Sequence, residues 1–347
     1  MPIVKAWAAQ TPHSPLAPWS IERREPGDHD VVIEIAFCGV CHSDLHQARD
    51  EWHGGIFPMV PGHEIVGRVS RTGGAVTRFR PGDVAGVGCM VDSCRTCDPC
   101  RRDLEQYCEK GNAQTYNGTL MDRKTPTYGG YSTQVVVDER FALRVPSNLD
   151  LAGAAPLLCA GVTTWSPLRH WNVKAGDRVG VVGLGGLGHM AVKLAVSLGA
   201  EVTVFSRTHA KEADARRLGA HGYAATAEKD ALRKLAGRFD LVIDTVSGPH
   251  DVSALLRTVR LDGALVLVGA SPEALGVSPF ALIGGRRTLA GSLIGGIAET
   301  QELLDHCGAK GIVADVEVIP MNAINDAYDR MLRGDVRYRF SIDASTI

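Results

Sequence analysis

The pattern of apolar and polar positions changes character near Leu151. Before it, short segments such as DVVIEIAFCGV at 30–40 alternate apolar and polar residues between Gly and Pro breaks. A period of two predicts β-strands. After it, the apolar run VGVVG at 179–183 is followed by the helical segment HMAVKLAVSLG. Continuous apolar runs are typical of strands buried in a parallel sheet, so a β-rich part is predicted to precede an α/β part.

The α/β part is predicted to form a complete, doubly wound parallel sheet of six strands. Further strands are expected at EVTVFS, FDLVIDTVS, GALVLVGA and RRTLAGSLIGG, with helices between them. Beyond them the pattern changes to helix TQELLDHCGAKG, strand ADVEVIP, helix INDAYDRMLRG and strand RYRFSID. A chain of 347 residues exceeds what one hydrophobic core usually organises. We therefore predict a first domain at 1–155, a second at 156–296, and a return into the first at 297–347.

A glycine pattern marks the start of the α/β part. Gly183-x-Gly185-x-x-Gly188 follows an apolar strand, opens a helix and lies in one βαβ unit. In that context the pattern predicts a dinucleotide site, because the glycines let the backbone approach a pyrophosphate and the helix offers free N–H groups. The alternative is a tight turn without a ligand. The candidate contacts are Gly183, Gly185, Gly186, Leu187 and Gly188.

The end of the next strand indicates which dinucleotide is bound. NAD sites usually carry Asp or Glu there, to bind the ribose hydroxyls. This chain instead has Ser206 and Arg207, with Lys211 a turn later. A hydroxyl followed by cations suits a 2′-phosphate, since Arg grips phosphate with two parallel hydrogen bonds. The sequence favours NADP, while solvated surface charges beside an NAD site are the alternative.

Four closely spaced cysteines predict a metal site. Residues 94–108 read CRTCDPCRRDLEQYC, and four thiolates on one short loop can close a tetrahedral zinc shell. An iron–sulfur cluster and a redox disulfide pair are the rivals, although no Cys is followed by Pro and no ferredoxin spacing is present. The predicted structural zinc ligands are Cys94, Cys97, Cys100 and Cys108.

A second group of ligand-type residues lies between 38 and 64, in CGVCHSDLHQARDEWHGGIFPMVPGHE. A catalytic zinc site uses three protein ligands and leaves one position open. Cys41 and His63 supply two ligands. Cys159, in APLLCAGVTTW, is the best candidate for the third.

Charge and apolar content exclude several other functions. The formal net charge is −2, which gives no reason to expect nucleic-acid binding. No apolar run approaches the roughly 20 residues of a membrane span, and the N-terminal residues do not resemble a secretory signal. We therefore expect no membrane association and a cytoplasmic location, where clustered cysteines bind metal more often than they form disulfides.

Taken in order, CGVCHSDLH, PGHEIVG, the four-cysteine loop, LLCAGVTTW, GLGGLGH and GSLIGG resemble the zinc-dependent medium-chain alcohol dehydrogenases. GSLIGGIAETQELLDHC and DVRYRF are similar to their cinnamyl alcohol dehydrogenase branch, which includes NADPH-dependent aldehyde reductases. The resemblance implies a β-rich, GroES-like catalytic domain beside a Rossmann domain, with the active site in the cleft between them.

The resemblance also implies a role for individual residues. Cys41, His63 and Cys159 match the catalytic zinc ligands. In the same way, Asp44 corresponds to the acid that orients the histidine ligand, Ser43 and His46 to the proton relay, Glu64 to a carboxylate near the metal, His42 to a pyrophosphate contact and Thr163 to a residue near the nicotinamide. Helix capping by Ser43 and Asp44, and a surface position for His46, are the alternatives.

The expected reaction is reversible hydride transfer between NADP(H) and an aldehyde or primary alcohol. Trp52, Ile56, Phe57, Cys89 and Met90 fall where such enzymes line the substrate cleft, although each is as readily explained by core packing. Their apolar character favours an aromatic or medium aliphatic substrate, and the strand RRTLAGSLIGG favours a homodimer. The alternatives are an NAD-dependent alcohol or polyol dehydrogenase, a non-catalytic zinc or redox sensor, and a zinc-free quinone reductase relative.

Overall fold

The computed structural model describes residues 2–271 and 273–347. Contacts divide the chain into two units, one of Met1–Cys159 with Gly295–Ile347 and one of Ala160–Ile294. The domain boundaries predicted from the sequence lie after residues 155 and 296, whereas the contacts place them after Cys159 and Ile294.

The N-terminal part of the first unit is mostly β-structure. Its central strand is the longest, most of its apolar residues are buried, and neighbouring strands pair with it along both edges. The strands are β1 Ile3–Ala8, β2 Ala17–Glu22, β3 Asp30–Val40, β4 Ile65–Thr72, β5 Val84–Val87, β6 Met90–Asp92, β7 Ala113–Gln114, β8 Gly118–Thr119, β9 Pro126–Thr127, β10 Gln134–Asp138 and β11 Leu143–Arg144, and the helices are α1 His42–Ala48, α2 Asp98–Arg101 and α3 Leu151–Ala154.

The second unit confirms the predicted six-stranded parallel sheet. Its strand order is β14-β13-β12-β15-β16-β17, so the order reverses between β12 and β15. The short strand β14 has little apolar periodicity and was not identified from the sequence. The strands are β12 Arg178–Val182, β13 Glu201–Ser206, β14 Gly222–Ala225, β15 Phe239–Asp244, β16 Val259–Leu267 and β17 Thr288–Gly291, and the helices are α4 Ala160–His170, α5 Gly186–Ser197, α6 Glu212–Arg217, α7 Val252–Thr258 and α8 Pro279–Ile283.

The C-terminal segment belongs to the first unit. It contains helix α9 Ile297–Lys310, strand β18 Val316–Pro320, helix α10 Ile324–Leu332 and strand β19 Arg339–Asp343. Strand β19 pairs antiparallel with β3 and parallel with β18. The main sheet has the order β11-β5-β4-β3-β19-β18, and β10 also pairs with β3. The last strands of the chain therefore complete a sheet that the first 150 residues begin.

Among the described residues, no single helix is long and apolar enough to cross a membrane. The two helical segments Leu151–Leu158 and Ala160–His170 pass a test of length and composition only as a pair bent by 55°.

Candidate metal and dinucleotide sites

Antiparallel pairing of β3 and β4 brings two predicted ligands to the same end of the sheet. Cys41 follows the last residue of β3, and His63 lies two residues before β4 begins. Cys38 pairs with Ile65, and the Gly39 amide donates to the Glu64 carbonyl oxygen at 2.9 Å. Residues 22 positions apart are thereby placed at one edge.

Cys159 lies at a break between two helical segments. The 3-10 helix Ala155–Leu158 ends at Cys159, whose backbone leaves the helical conformation with φ −132° and ψ −71°. The Leu158 carbonyl oxygen would lie only 3.0 Å from a Cβ added at Gly88, so the absence of a side chain there lets this segment approach the end of β5. The break and the close approach turn the Cys159 thiol toward the first two ligands.

Four ligand-type side chains converge at this point. The ligand atoms of Cys41, His63, Glu64 and Cys159 all lie within 4.8 Å of one another, and all four residues are buried. Two thiols, one imidazole and one carboxylate are a zinc-type donor set, and three of them are the ligands that the sequence predicted. The donor chemistry and the spacing therefore fit a zinc ion.

Asp44 supports the histidine and caps a helix at the same time. Its Oδ1 atom lies 2.9 Å from His63 Nδ1 and accepts the Gly62 amide at 3.0 Å. Its Oδ2 accepts the Cys41 amide at 2.9 Å, which completes a capping box at the start of α1. A carboxylate only accepts, so Nδ1 carries a proton, and Nε2 is the nitrogen that can bind a metal once it is deprotonated.

The buried environment shifts the protonation of both ligands. Burial by itself lowers the pKa of His63, but the charge of Asp44 and its hydrogen bond raise that pKa well above the ordinary value. A hydrogen bond with Cys159 lowers the pKa of Cys41 well below that of a free thiol, against the effect of burial. A thiolate at Cys41 is the form that binds metal.

Glu64 lies beside Arg339, a residue to which the sequence assigned no role. The Arg339 guanidinium, at the start of β19, makes a buried ion pair with Glu64 Oε1. Oε2 has no hydrogen-bond partner among the described residues. Burial raises the pKa of Glu64 to about 7, although the charge of Arg339 opposes the rise. Arg339 belongs to the DVRYRF ending that carried part of the resemblance, but no local signal pointed to Glu64.

The predicted proton-relay residues lie on and beside α1. Ser43 Oγ is 3.6 Å from Cys41 Sγ. His46 Nδ1 contacts Glu51 Oε2 at 2.5 Å, and its ring stacks on Trp52 with centroids 5.2 Å apart. Between described atoms, no hydrogen bond joins Ser43 to His46 directly. Glu51 is a further candidate, which sequence reasoning missed because a lone exposed glutamate carries no signal.

The four cysteines of the loop also come together. Their sulfur atoms lie within 4.8 Å of one another. The backbone N–H of Cys97 donates to Cys94 Sγ at 3.4 Å. The backbone N–H of Cys94 donates to Cys108 Sγ, also at 3.4 Å. Backbone N–H groups of Thr96 and Cys97 lower the pKa of Cys94 to about 5. A set of four thiols is complete without an open position, as in a structural zinc site.

Residues expected to line a substrate pocket differ in exposure. Met90 is only 2% exposed and is part of the core, so packing accounts for it. Trp52 and Ile56 are 45% and 47% exposed, and Phe57 and Cys89 are partly buried. His42 is exposed at the start of α1.

In the second unit, the glycine turn occupies the point where the strand order reverses. Gly183 has a φ of +86°, and a Cβ added there would lie 2.9 Å from Thr245 Oγ1. No described heavy atom lies within 4 Å of a Cβ added at Gly185, the residue before α5, so this side of the turn is open. Gly186, Leu187 and Gly188 form the first turn of α5. An open turn ahead of a helix at the switch point suits a pyrophosphate.

The candidate phosphate contacts lie at the carboxyl end of β13. Ser206 is the last residue of that strand, Arg207 follows it and is exposed, and Lys211 Nζ donates to the Leu184 carbonyl oxygen at 2.9 Å. The lysine thereby reaches the glycine turn. Thr163, predicted to lie near the nicotinamide, is 6% exposed within α4.

Comparison with known proteins identifies two family regions. Residues 27–147 match the alcohol dehydrogenase GroES-like domain, and residues 186–309 match the zinc-binding dehydrogenase family. The chain is 52% identical over 347 residues, all of both chains, to NADP-dependent alcohol dehydrogenase C of Mycobacterium bovis. It is 52% identical to aldehyde reductase YahK of Escherichia coli, over 99% of both. A cinnamyl alcohol dehydrogenase structure from Sorghum bicolor superposes with a TM-score of 0.96 at 43% identity, covering 99% of this chain and 98% of that one.

Proposed function

The chain belongs to the zinc-dependent medium-chain alcohol dehydrogenases, in the cinnamyl alcohol dehydrogenase and aldehyde reductase branch, and we propose how its residues divide the work of that chemistry. It is an enzyme of NADP-linked alcohol and aldehyde oxidoreduction. Cys41, His63 and Cys159 hold the catalytic zinc, and the four-cysteine loop holds a second, structural zinc. The preferred substrates are aromatic or medium aliphatic aldehydes and the corresponding alcohols.

The convergence of Cys41, His63 and Cys159 carries the assignment of the reaction centre. Residues 41, 63 and 159 come from three separate segments, yet their ligand atoms lie within 4.8 Å. Asp44 fixes the ring of the histidine ligand, as ligating imidazoles generally require. The ion pair with Arg339 keeps the Glu64 carboxylate from binding the metal. Three protein ligands then remain, as in a catalytic zinc site with one open position.

Around that centre, the polar side chains bind, orient and move protons. When bound, zinc polarises the substrate oxygen as a Lewis acid and the nicotinamide carries the hydride. Ser43 Oγ, 3.6 Å from the Cys41 sulfur, is in position to exchange a proton with the substrate oxygen. His46, hydrogen-bonded to the solvent-exposed Glu51, is in position to exchange a proton with water.

Binding of NADP rests on the carboxyl ends of β12 and β13, which lie at one edge of the sheet. The glycine turn Gly183–Gly188 receives the pyrophosphate at the N-terminus of α5, with His42 as a further contact. Ser206, Arg207 and Lys211 bind the 2′-phosphate. Arg207 is exposed after β13, and no carboxylate stands at the strand end to repel a phosphate. Thr163 contacts the nicotinamide.

Exposed aromatic surface beside α1 supports the substrate class. Trp52 is 45% exposed and stacks on the relay histidine His46, and Ile56 is 47% exposed. The flat indole of Trp52 and the aliphatic side chain of Ile56 favour planar or extended apolar substrates over polyols.

The chain works as a cytoplasmic homodimer. Strand β17 is an edge strand of its sheet, and the same unit exposes Phe280 (81%), Ile283 (71%) and Leu293 (54%). Exposed apolar side chains beside an open strand edge are typical of a surface that pairs with a second copy. None of the nine cysteines forms a disulfide, as expected for a protein of a reducing compartment.

A panel of aldehydes tests the proposed function. NADPH oxidation is followed with aromatic, medium aliphatic and short aldehydes and with the open-chain form of a sugar, and each is repeated with NADH. The expected result is highest kcat/KM for the aromatic or medium aliphatic aldehydes with NADPH. A higher kcat/KM with NADH and the open-chain sugar would favour the alternative polyol dehydrogenase, and negligible aldehyde reduction by zinc-loaded protein would contradict the assignment.

A further inference from the structure

A pair formed by a partly buried histidine and a buried aspartate lies where the strand order of the second unit reverses. Asp244 is the last residue of β15 and is 1% exposed. The connection from β15 to α7, residues 245–251, carries His250. Ligands of doubly wound sheets bind outside the carboxyl ends of the strands at this reversal.

Two short hydrogen bonds hold His250 in place. Its Nε2 lies 2.6 Å from Asp244 Oδ2, and its Nδ1 lies 2.8 Å from the Gly248 carbonyl oxygen. A carbonyl oxygen only accepts, so Nδ1 carries a proton, and Nε2 and the Asp244 carboxyl group share one more. Burial raises the pKa of Asp244, and hydrogen bonds from the Val246 amide and His250 oppose that rise. The imidazole of His250 therefore links the β15–α7 connection, at Gly248, to the last residue of β15.

The same connection packs against the glycine turn. Thr245 Oγ1 donates to the Val182 carbonyl oxygen at 2.7 Å, at the end of β12. A Cβ added at Gly183 would lie 2.9 Å from Thr245 Oγ1 and 3.1 Å from Val246 Cγ2, and one at Gly188 would lie 3.4 Å from Thr245 Oγ1. Thr245 and Val246 therefore fill the space beside Gly183 and Gly188 on one side of the glycine turn.

We propose that His250 is a positioning residue for the dinucleotide: its bonds to Asp244 and to the Gly248 carbonyl hold Thr245 and Val246 against Gly183, and so keep the glycine turn in the shape that receives the pyrophosphate. This inference rests on the proposed placement of NADP at Gly183–Gly188. His250 acts through the backbone of the connection and does not contact the reacting atoms.

Equilibrium binding of NADPH to the zinc-loaded full chain, without aldehyde, tests the inference. His250→Ala and Asp244→Ala are each expected to weaken binding about tenfold, the usual scale for losing a hydrogen bond that involves a charged group. Asp244→Asn is expected to bind nearly as tightly as the wild type, because its amide can donate to Nε2 of the neutral imidazole. In steady-state assays of His250→Ala, KM for NADPH rises while kcat at saturating NADPH changes less than about twofold.

His221→Ala is the matched control. His221 accepts the Val202 amide at 3.1 Å in the same unit, but it lies at the opposite, amino end of the sheet. It is expected to bind NADPH as the wild type does. Thermal unfolding of each variant without cofactor identifies any that are simply unfolded. In that case His250→Phe, which keeps a ring of similar size but loses both hydrogen bonds, is expected to weaken NADPH about tenfold, and wild-type affinity would overturn the role of His250.

The outcomes separate this inference from the placement of the cofactor. His250→Ala is expected to weaken NADH and NADPH equally, whereas a change at the 2′-phosphate contacts affects NADPH alone. Wild-type affinity in folded His250→Ala, or equal losses in Asp244→Asn and Asp244→Ala, would overturn the role of His250. If Gly185→Val, which fills the open side of the turn, left binding of both nucleotides unchanged, the placement itself would be wrong.

Discussion

Asp44 Oδ1 lies 2.9 Å from His63 Nδ1, and the other oxygen of the same carboxylate accepts the Cys41 amide at 2.9 Å. One buried side chain thus orients two proposed zinc ligands. Asp44 also completes the cap of α1, so helix formation and metal binding depend on the same group.

We expect Asp44→Asn to reduce zinc affinity at the catalytic site about 10- to 100-fold, because the neutral amide no longer fixes and polarises the histidine ligand. Competition with a chelator measures this as earlier release of one zinc, while the four-cysteine site retains its metal. Asp98→Asn, at an exposed aspartate in α2, is the control and should behave as the wild type. Unaltered release from Asp44→Asn would remove Asp44 from the zinc site.

Metal content should follow the two groups of cysteines independently. The wild type is expected to hold about two zinc ions per chain, and Cys41→Ser about one, with turnover lost and the fold retained. Cys100→Ser should also lose one ion, but with a lower unfolding temperature, since its site closes a loop rather than binding substrate. Elemental analysis and thermal unfolding measure both. Turnover at the wild-type rate in Cys41→Ser would contradict its role as a ligand.

Arg207→Ala should distinguish the two nicotinamide cofactors. Loss of a guanidinium that grips the 2′-phosphate is expected to weaken NADPH about tenfold or more and to leave NADH nearly unchanged. Arg217, an exposed arginine that pairs with Asp214 at the far end of α6, supplies the control variant Arg217→Ala. Equal losses for the two nucleotides in Arg207→Ala would mean that the phosphate binds elsewhere.

Arg339→Met should destabilise the first unit strongly. The substitution leaves Glu64 buried without its ion-pair partner, which typically costs about 3 to 5 kcal/mol. Arg330→Met is the control, because Arg330 makes a comparable pair with Glu317 at the surface, where the loss is about 0 to 1 kcal/mol. Denaturant unfolding measures both. Adding Glu64→Gln to Arg339→Met should restore part of the loss; no recovery would argue against a direct pair.

Ile283→Glu should disrupt the proposed dimer. Ile283 is 71% exposed on α8, so a charge there changes the monomer little but opposes burial against a second copy. Light scattering after size exclusion should show a dimer for the wild type and a shift toward monomer for the variant. Leu332→Glu, at an exposed leucine on α10 of the other unit, is the control. A monomeric wild type would end the proposal.

Features encoded over short distances were predictable from the sequence. The six-stranded parallel sheet is confirmed, because continuous apolar runs between helical segments signal buried parallel strands. The glycine turn and the four-cysteine loop were found by spacing alone. The same local logic failed for β14, because its four residues, Gly222–Ala225, form too short a segment and lack the large aliphatic side chains of the other strands.

The kinds of residues and their spacing were therefore enough to predict two candidate ligand groups from the sequence alone. The tertiary structure decided which distant groups meet them. Arg339 reaches Glu64 across 275 residues because β19 pairs with β3, and His250 bonds to Asp244 because the connection folds back onto its strand. Strand pairing depends on the packing of the whole sheet, and no local run of residues encodes it.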